Sequence, residues 1–179
     1  VVKAVRSSIA DSVPLWVRLS CTDFIEDAPS WTLKDSIELS KHLKVRVLFF
    51  FPLLSRRWTT FAVAHRHISS SPPQQDLGVQ LIDCSGGGIS LAQKIAVKPG
   101  YQVPCAEAIR AEAGIATGAV GLITEATQAN EILESGKADI VLLGRQLLRD
   151  PSWPLAAART FNYGTEMTYP PQYKRFYLA

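Results

Sequence analysis

The apolar positions change period several times along the chain, and each change marks a predicted element boundary. "PLWVRLS", Pro14 to Ser20, is a short apolar run closed by proline on one side and polar residues on the other, which predicts a strand. "WTLKDSIELSKHLK" then places Leu33, Ile37, Leu39 and Leu43 at helical spacing. "GVQLIDCSGGG" predicts a second strand with a glycine tip, and "PCAEAIRAEAG", Pro104 to Gly114, a helix stopped by glycine. "GAVGLIT", Gly118 to Thr124, predicts a third strand, and "TQANEILESGKA" puts Ala129, Ile132 and Leu133 on one helical face before Gly136. "DIVLLGRQLL" is apolar almost throughout, as a strand buried on both faces would be. Asp150 and Pro151 then supply an N-cap and first position for a helix in "PSWPLAAARTF".

Four strand-then-helix units predict an α/β fold, a parallel sheet with helices outside it. Such a series builds either an open doubly wound sheet or part of a (β/α) barrel. Four units are half of an eight-fold barrel, and a half-barrel alone leaves two sheet edges open. This chain is therefore expected to pair with another half or to rearrange. Its first residues, "VVKAVRSSIA", read as the end of a helix, so the chain is expected to be a fragment of a longer one.

Residues 45–75 break the pattern: an apolar block, then scattered aromatic and basic residues, then a Ser/Pro/Gln tail. No barrel element needs them. Without them "ELSKHLK" runs into "DLGVQLIDCSGGG", an ordinary helix, turn and strand with Gly78 near the helix end. Val45-Arg46 can be encoded as an intron donor and Gln75 as an acceptor, so the segment is expected to be a translated, retained intron; the alternative is a natural surface insertion. A single barrel domain over 1–179, interrupted at 45–75, is the resulting organisation.

Composition narrows the function. With 47% hydrophobic and 20% charged residues and a net charge of +3 spread along the chain, neither disorder nor nucleic-acid binding is indicated, and a small-molecule partner is expected. No run reaches the roughly 18 apolar residues of a membrane span, and the N-terminus has no signal-peptide pattern, so a cytoplasmic protein is expected. Cys21, Cys84 and Cys105 are odd in number and lack a CxxC spacing, which argues against disulfides and zinc. His42 falls on a largely solvated helix, while His65 and His67 fall in the suspect segment, and no metal site is expected.

Three places could carry chemistry. Arg18 lies inside an apolar strand near its C-terminal end, where it calls for an anionic ligand or a structural ion pair. "DCSGGG", Asp83 to Gly88, ends a strand in small residues that let a ligand approach the backbone. "LLGR", Leu142 to Arg145, joins a strand end, a glycine and an arginine suited to a phosphate fork, and Gly121 holds the equivalent place one unit earlier. Together they predict a two-loop phosphate cradle.

The segments "PLWVRLSCTDF", "LGVQLIDCSGGG", "PGYQVPCAEAIRAEAGIATGAVGLIT", "ADIVLLGRQLLRDPSWPLAAAR" and "PPQYKR" resemble the C-terminal half of the Old Yellow Enzyme family of flavin-dependent NAD(P)H oxidoreductases, nearest its bacterial, thermophilic-type class. The resemblance implies half of a (β/α)8 TIM barrel with FMN at its C-terminal mouth, NADPH or NADH as reductant, and an activated alkene as substrate. It implies that Arg18 meets the pyrimidine edge of the flavin, that Gly144 and Arg145 hold the phosphate, and that Gly121 and Ser85-Gly86-Gly87 line the cofactor. Arg175 matches the arginine which that class sends into a neighbouring subunit's site, implying a homo-oligomeric parent, although Phe176 stands where the class usually has glycine. The family's first four strands, its substrate-orienting His pair and its Tyr proton donor have no counterpart in this chain, so no catalytic residue is assigned. The expectation is weak or no FMN binding and no turnover by the chain alone. Two alternatives stand: a non-catalytic half-barrel that binds a phosphate ligand or assembles as a structural partner, and a different phosphate-binding barrel enzyme.

Overall fold

The computed structural model describes residues 1–44, 77–163 and 170–173. The suspected insert 45–75, with His65 and His67, and Arg175 lie outside the described residues. The elements run α1 (Val2–Ser8), β1 (Trp16–Ser20), α2 (Leu33–Leu43), β2 (Leu81–Ser85), α3 (Val103–Ala113), β3 (Ala116–Ala119), α4 (Ala126–Glu134), β4 (Ile140–Val141), α5 (Arg145–Arg149) and α6 (Trp153–Thr160), with a 3-10 turn at Pro171–Tyr173.

All strand pairs are parallel, and the sheet order is β1-β2-β3-β4. Sequential order without a reversal has no topological switch point, so of the two expected architectures the chain adopts the partial (β/α) barrel. Pairing sets the layers. Trp16 faces Leu81 and then Ala116; Arg18 faces Asp83, then Gly118 and Ile140; Ser20 faces Ser85.

Alternation along the strands separates two faces. Ile82, Cys84 and Ala119 join Ile37 and Leu43 of α2, Ile109 of α3 and Ile132 of α4 in one buried cluster, with Val17, Leu19 and Val141 packed against it. Their neighbours Trp16, Arg18, Asp83, Ser85 and Gly118 point to the opposite face. Among the described residues, then, the helices cover one side of the sheet, and Trp16 on the other side is 53% exposed. Gly118 suits this second face because a Cβ there would meet Leu142 Cδ1 at 2.9 Å.

Local chemistry fixes the helices. Thr32 and Asp35 form a capping box at the start of α2, and the Thr32 hydroxyl holds the Asp35 carboxyl below its ordinary value. The Ser36 hydroxyl, fully buried, donates to Cys21 O at 2.9 Å and accepts from Trp31 Nε1 at 2.6 Å, tying α2 to the end of β1. Gly114 closes α3 at φ 61. Arg110 Nε donates to Asp139 at 3.1 Å, and the same carboxylate accepts the Thr117 N–H at 2.9 Å, which anchors α3 beside the entry to β4. Val79 N donates to Leu43 O at 3.2 Å, so the residues flanking the suspected insert meet.

Three boundaries differ from the sequence reading. The third strand was expected at Gly118–Thr124 but is Ala116–Ala119, because Gly121 at φ 121 and Leu122 at φ 51 turn the chain. Ile123 nonetheless returns to the core at 3% exposure, which is why the segment looks strand-like. The fourth strand is only Ile140–Val141: the backbone breaks at Gly144, and Arg145 to Arg149 are helical. An apolar run straddling a strand and a helix carries no period that separates them. The last helix is capped at Ser152 rather than Asp150, whose carboxylate accepts the Ser152 N–H at 2.9 Å in a turn before the helix.

The three cysteines converge in the core from the residue after β1, from β2 and from α3, all buried and free. For Cys21 the contact with Cys105 acts downward, but the Cys84 contact and burial outweigh it and push the thiol from 9.0 to about 12. Cys105 is raised as well, by its bond with Cys21 and by burial. A folded pKa above the unfolded one means that the folded state holds its proton more tightly. The associated stability is therefore present below pH 9 and lost as pH climbs toward about 12. Ellman's reagent at neutral pH is expected to leave native protein unlabelled and to titrate three thiols after denaturation; prompt native labelling would contradict this burial.

Candidate functional site

The C-terminal ends of β2, β3 and β4 lie at one end of the sheet because all the strands are parallel. There Ser85, Gly121, Gly144 and Arg145 line a single cavity of about 140 Å³, joined by Tyr101, Gln102, Thr124 and Arg149. Two of these contacts depend on a missing side chain. A Cβ on Gly121 would lie 3.2 Å from Gln102 N and from the Tyr101 ring, while at Gly144 nothing stands within 4 Å, so the backbone is open to a ligand.

The charge is one-sided. Arg145 and Arg149, both exposed, form no salt bridge among the described residues, and the cavity lining holds no carboxylate. Arginine presents a planar fork of N–H donors that matches phosphate oxygens. A cavity with room for one tetrahedral anion, bare glycine backbone and two uncompensated guanidinium groups fits a phosphate group; the sheet's uncovered face lies alongside it for the remainder of a larger ligand.

Gly86 and Gly87 are placed differently from Ser85. Gly86 packs against Phe24, where a Cβ would meet Cε2 at 2.8 Å, and Gly87 at φ 88 packs against Ile95, so neither lines the cavity. Gly86 contributes through its carbonyl, which accepts from Gln102 Nε2 at 3.3 Å. Gln102 is 4% exposed and also bonds the Tyr101 hydroxyl, so it braces the β2 tip against the start of α3. Arg18 projects from the uncovered face one layer before Ser20 and Ser85, its side chain 63% exposed and its Nε 2.7 Å from Asp83 Oδ2.

The sequence reading missed Tyr101, Gln102, Arg149 and Asp83. Arg149 follows Arg145 by four positions, and Asp83 is a lone charge mid-strand one unit after Arg18, so both left a signal in the sequence. Gln102, in "PGYQVP", left none. A wider depression of about 400 Å³ beside α4, lined by Thr127, Asn130, Glu131, Glu134, Ser135 and Phe161, lies away from these strand ends. Among the described residues no group of three or more His, Cys, Asp or Glu could hold a metal, and no helix is long and apolar enough to cross a membrane.

Residues 75–163 match the family model described as NADH:flavin oxidoreductase / NADH oxidase. An "NADPH dehydrogenase" of Geobacillus thermodenitrificans is 42% identical over 162 residues, covering 90% of this chain and 37% of its own length. One from Halalkalibacterium halodurans is 41% identical over 165 residues, 92% of this chain and 38% of that protein. One from Bacillus subtilis is 50% identical over 109 residues, 61% and 31% of the two chains. The chain thus spans less than two fifths of the curated relatives it matches. The matched stretch contains β2 to β4 and the whole glycine-arginine cradle. With the sequential parallel sheet and these identities, the chain belongs to the NADH:flavin oxidoreductase / NADH oxidase family, the Old Yellow Enzyme family.

Proposed function

We propose that this chain is the phosphate-binding half of an FMN-dependent NAD(P)H oxidoreductase of the ene-reductase type. The observation that carries the reading is the convergence of Ser85, Gly121, Gly144 and Arg145 on one cation-lined cavity at the C-terminal sheet end. FMN, when bound, supplies the hydride-carrying ring that accepts from NADPH or NADH and donates to an activated alkene. The chain's own residues bind and orient. Arg145, with Arg149 beside it, neutralises the phosphate; Gly121 and Gly144 let the backbone come close; Gln102 keeps the β2 tip in place; and Arg18 offers its guanidinium on the uncovered face. The catalytic acid and the substrate-orienting pair belong to the rest of the parent, whose homo-oligomeric assembly, cytoplasmic location and use of Arg175 are part of the same proposal. Residues 45–75 form an insertion between α2 and β2, a reading supported by the bond that joins its flanks at Leu43 and Val79.

Fluorescence titration of the chain with FMN and with riboflavin tests this. FMN is expected to bind, weakly and without turnover of cyclohexenone and NADPH, and more tightly than riboflavin. Arg145→Gln is expected to weaken FMN about tenfold, the scale of one charge-assisted contact, and to leave riboflavin unchanged. Equal affinity for both flavins would remove the phosphate cradle from the proposal. A second reading, a phosphate-binding half-barrel that assembles with a partner, is favoured by Trp16, which stands 53% exposed on the uncovered face. Binding of inorganic phosphate with no preference for FMN over it would select that reading.

A further inference from the structure

Of the buried polar atoms that have no hydrogen-bond partner among the described residues, one belongs to the strand residue beside Arg18. Asp83 sits in the middle of β2 on the uncovered face with its side chain 15% exposed, and its Oδ1 is buried without a hydrogen-bond partner. On one side its strand neighbour is Arg18, and on the other it is Gly118, whose missing side chain leaves space taken by the side chains of Ile140 and Leu142. Among the described residues Arg18 is the only cation paired with Asp83.

Stability does not explain the pair. An ion pair with one member 63% exposed is weak, whereas a buried carboxylate oxygen left without a donor is costly. The geometry, however, is directional. Arg18 spends only Nε on Asp83 Oδ2, at 2.7 Å, and its Nη1 and Nη2 groups make no hydrogen bond among the described residues. A guanidinium carries five N–H donors in a fixed plane. Pinning one edge therefore turns the remaining fork outward over the open face.

We propose that Asp83 is a positioning residue: it holds Arg18 through Nε so that the Nη fork meets the electron-rich edge of the flavin ring. This deepens, and rests on, the reading of the uncovered face as a flavin site. Asp83 itself does not touch the ligand. Its carboxylate does two opposed things, fixing the guanidinium in place and partly offsetting its charge.

That opposition gives a test with variants of differing sign. Dissociation constants for oxidised FMN and for FMN reduced under anaerobic conditions are measured by titration of the full chain, its Asp83→Asn and Asp83→Ala variants, Arg18→Gln, and the double variant Asp83→Ala/Arg18→Gln. Asparagine keeps an oxygen for the Arg18 Nε–H but removes the offsetting charge, so the preference for reduced over oxidised FMN is expected to hold or rise. Alanine releases the guanidinium, so that preference is expected to fall about tenfold, which for a two-electron couple is about 30 mV. The double variant is expected to lose little more than either single variant, since both act through one group.

Circular dichroism establishes that each variant is folded. In the free chain, the Arg18 Nε–H resonance is expected to be protected from exchange in wild type and Asp83→Asn, and exposed in Asp83→Ala. A folded Asp83→Ala with wild-type preference, or asparagine and alanine variants that fall alike, would overturn the positioning role while leaving the flavin reading intact. A wild-type chain that binds neither form of FMN would overturn the flavin reading and this role with it.

Discussion

Ile109→Ala is expected to lower the unfolding free energy by about 3–4 kcal/mol, inside the range for deleting a fully buried aliphatic side chain. Ile109 is 0% exposed on α3, the helix that packs on β2, β3 and α2. The cost depends on how far the surroundings can close over the lost atoms, and α3 has little freedom to do so. Its start is braced through Gln102 to Gly86, its body through Arg110 to Asp139, and its end by the left-handed Gly114. Because the helices cover only one face of the described sheet, the cluster around Ile82, Cys84 and Ile109 is the main store of apolar burial. A loss of this size is a large part of the roughly 5–15 kcal/mol that stabilises an ordinary domain. Urea unfolding followed by tryptophan fluorescence measures it, with Leu148→Ala, at an 85% exposed position, expected to stay within about 0.5 kcal/mol of wild type. Equal midpoints for the two variants would show that α3 is not central to the fold.

The parts of this architecture that were legible in the sequence are those where one physical rule acts alone. The α2 segment reads correctly because Leu33, Ile37, Leu39 and Leu43 together read as a helical run, and α3 because Gly114 stops it. The β3 and β4 ends were misplaced because the candidate cavity lies there. A cradle needs the strand to stop early, a glycine at positive φ, and a short helix, all within apolar residues that return to the core; hydrophobicity records the burial and hides the turn. The same logic separates the site residues. Arg145 and Gly144 were visible because an arginine after a strand-end glycine has few structural uses. Asp83 was missed, since its meaning comes from the register that sets it opposite Arg18. Gln102 acts through an amide reaching the β2 tip, 16 residues back in the chain, and no local pattern encodes that contact.

Gly121→Ala is expected to be the most damaging single-atom addition at the site, because two independent costs meet there. The backbone stands at φ 121, where a non-glycine residue is strained by about 1–3 kcal/mol. The new Cβ would also lie 3.2 Å from Gln102 N, a main-chain atom at the start of α3 that cannot swing aside, and 3.2 Å from the Tyr101 ring. Relief by moving the turn at Gly121 is opposed by its carbonyl, which accepts the Gly100 N–H at 2.7 Å. Overpacking of this kind adds about 1–3 kcal/mol, so a total loss of about 3 kcal/mol is expected, with FMN binding abolished even in the fraction that remains folded. Gly88→Ala separates the two costs: its φ is 79 but nothing lies within 4 Å, so only the backbone strain should appear in the unfolding midpoint. Gly144→Ala separates stability from binding. With nothing within 4 Å of the new Cβ, alanine meets no clash there, and the midpoint is expected to shift less than for Gly121→Ala. The added methyl nevertheless stands over the backbone that the phosphate must approach, so FMN affinity should fall while riboflavin affinity does not. If Gly121→Ala and Gly144→Ala instead proved alike in both stability and FMN affinity, the two loops would not form one cradle.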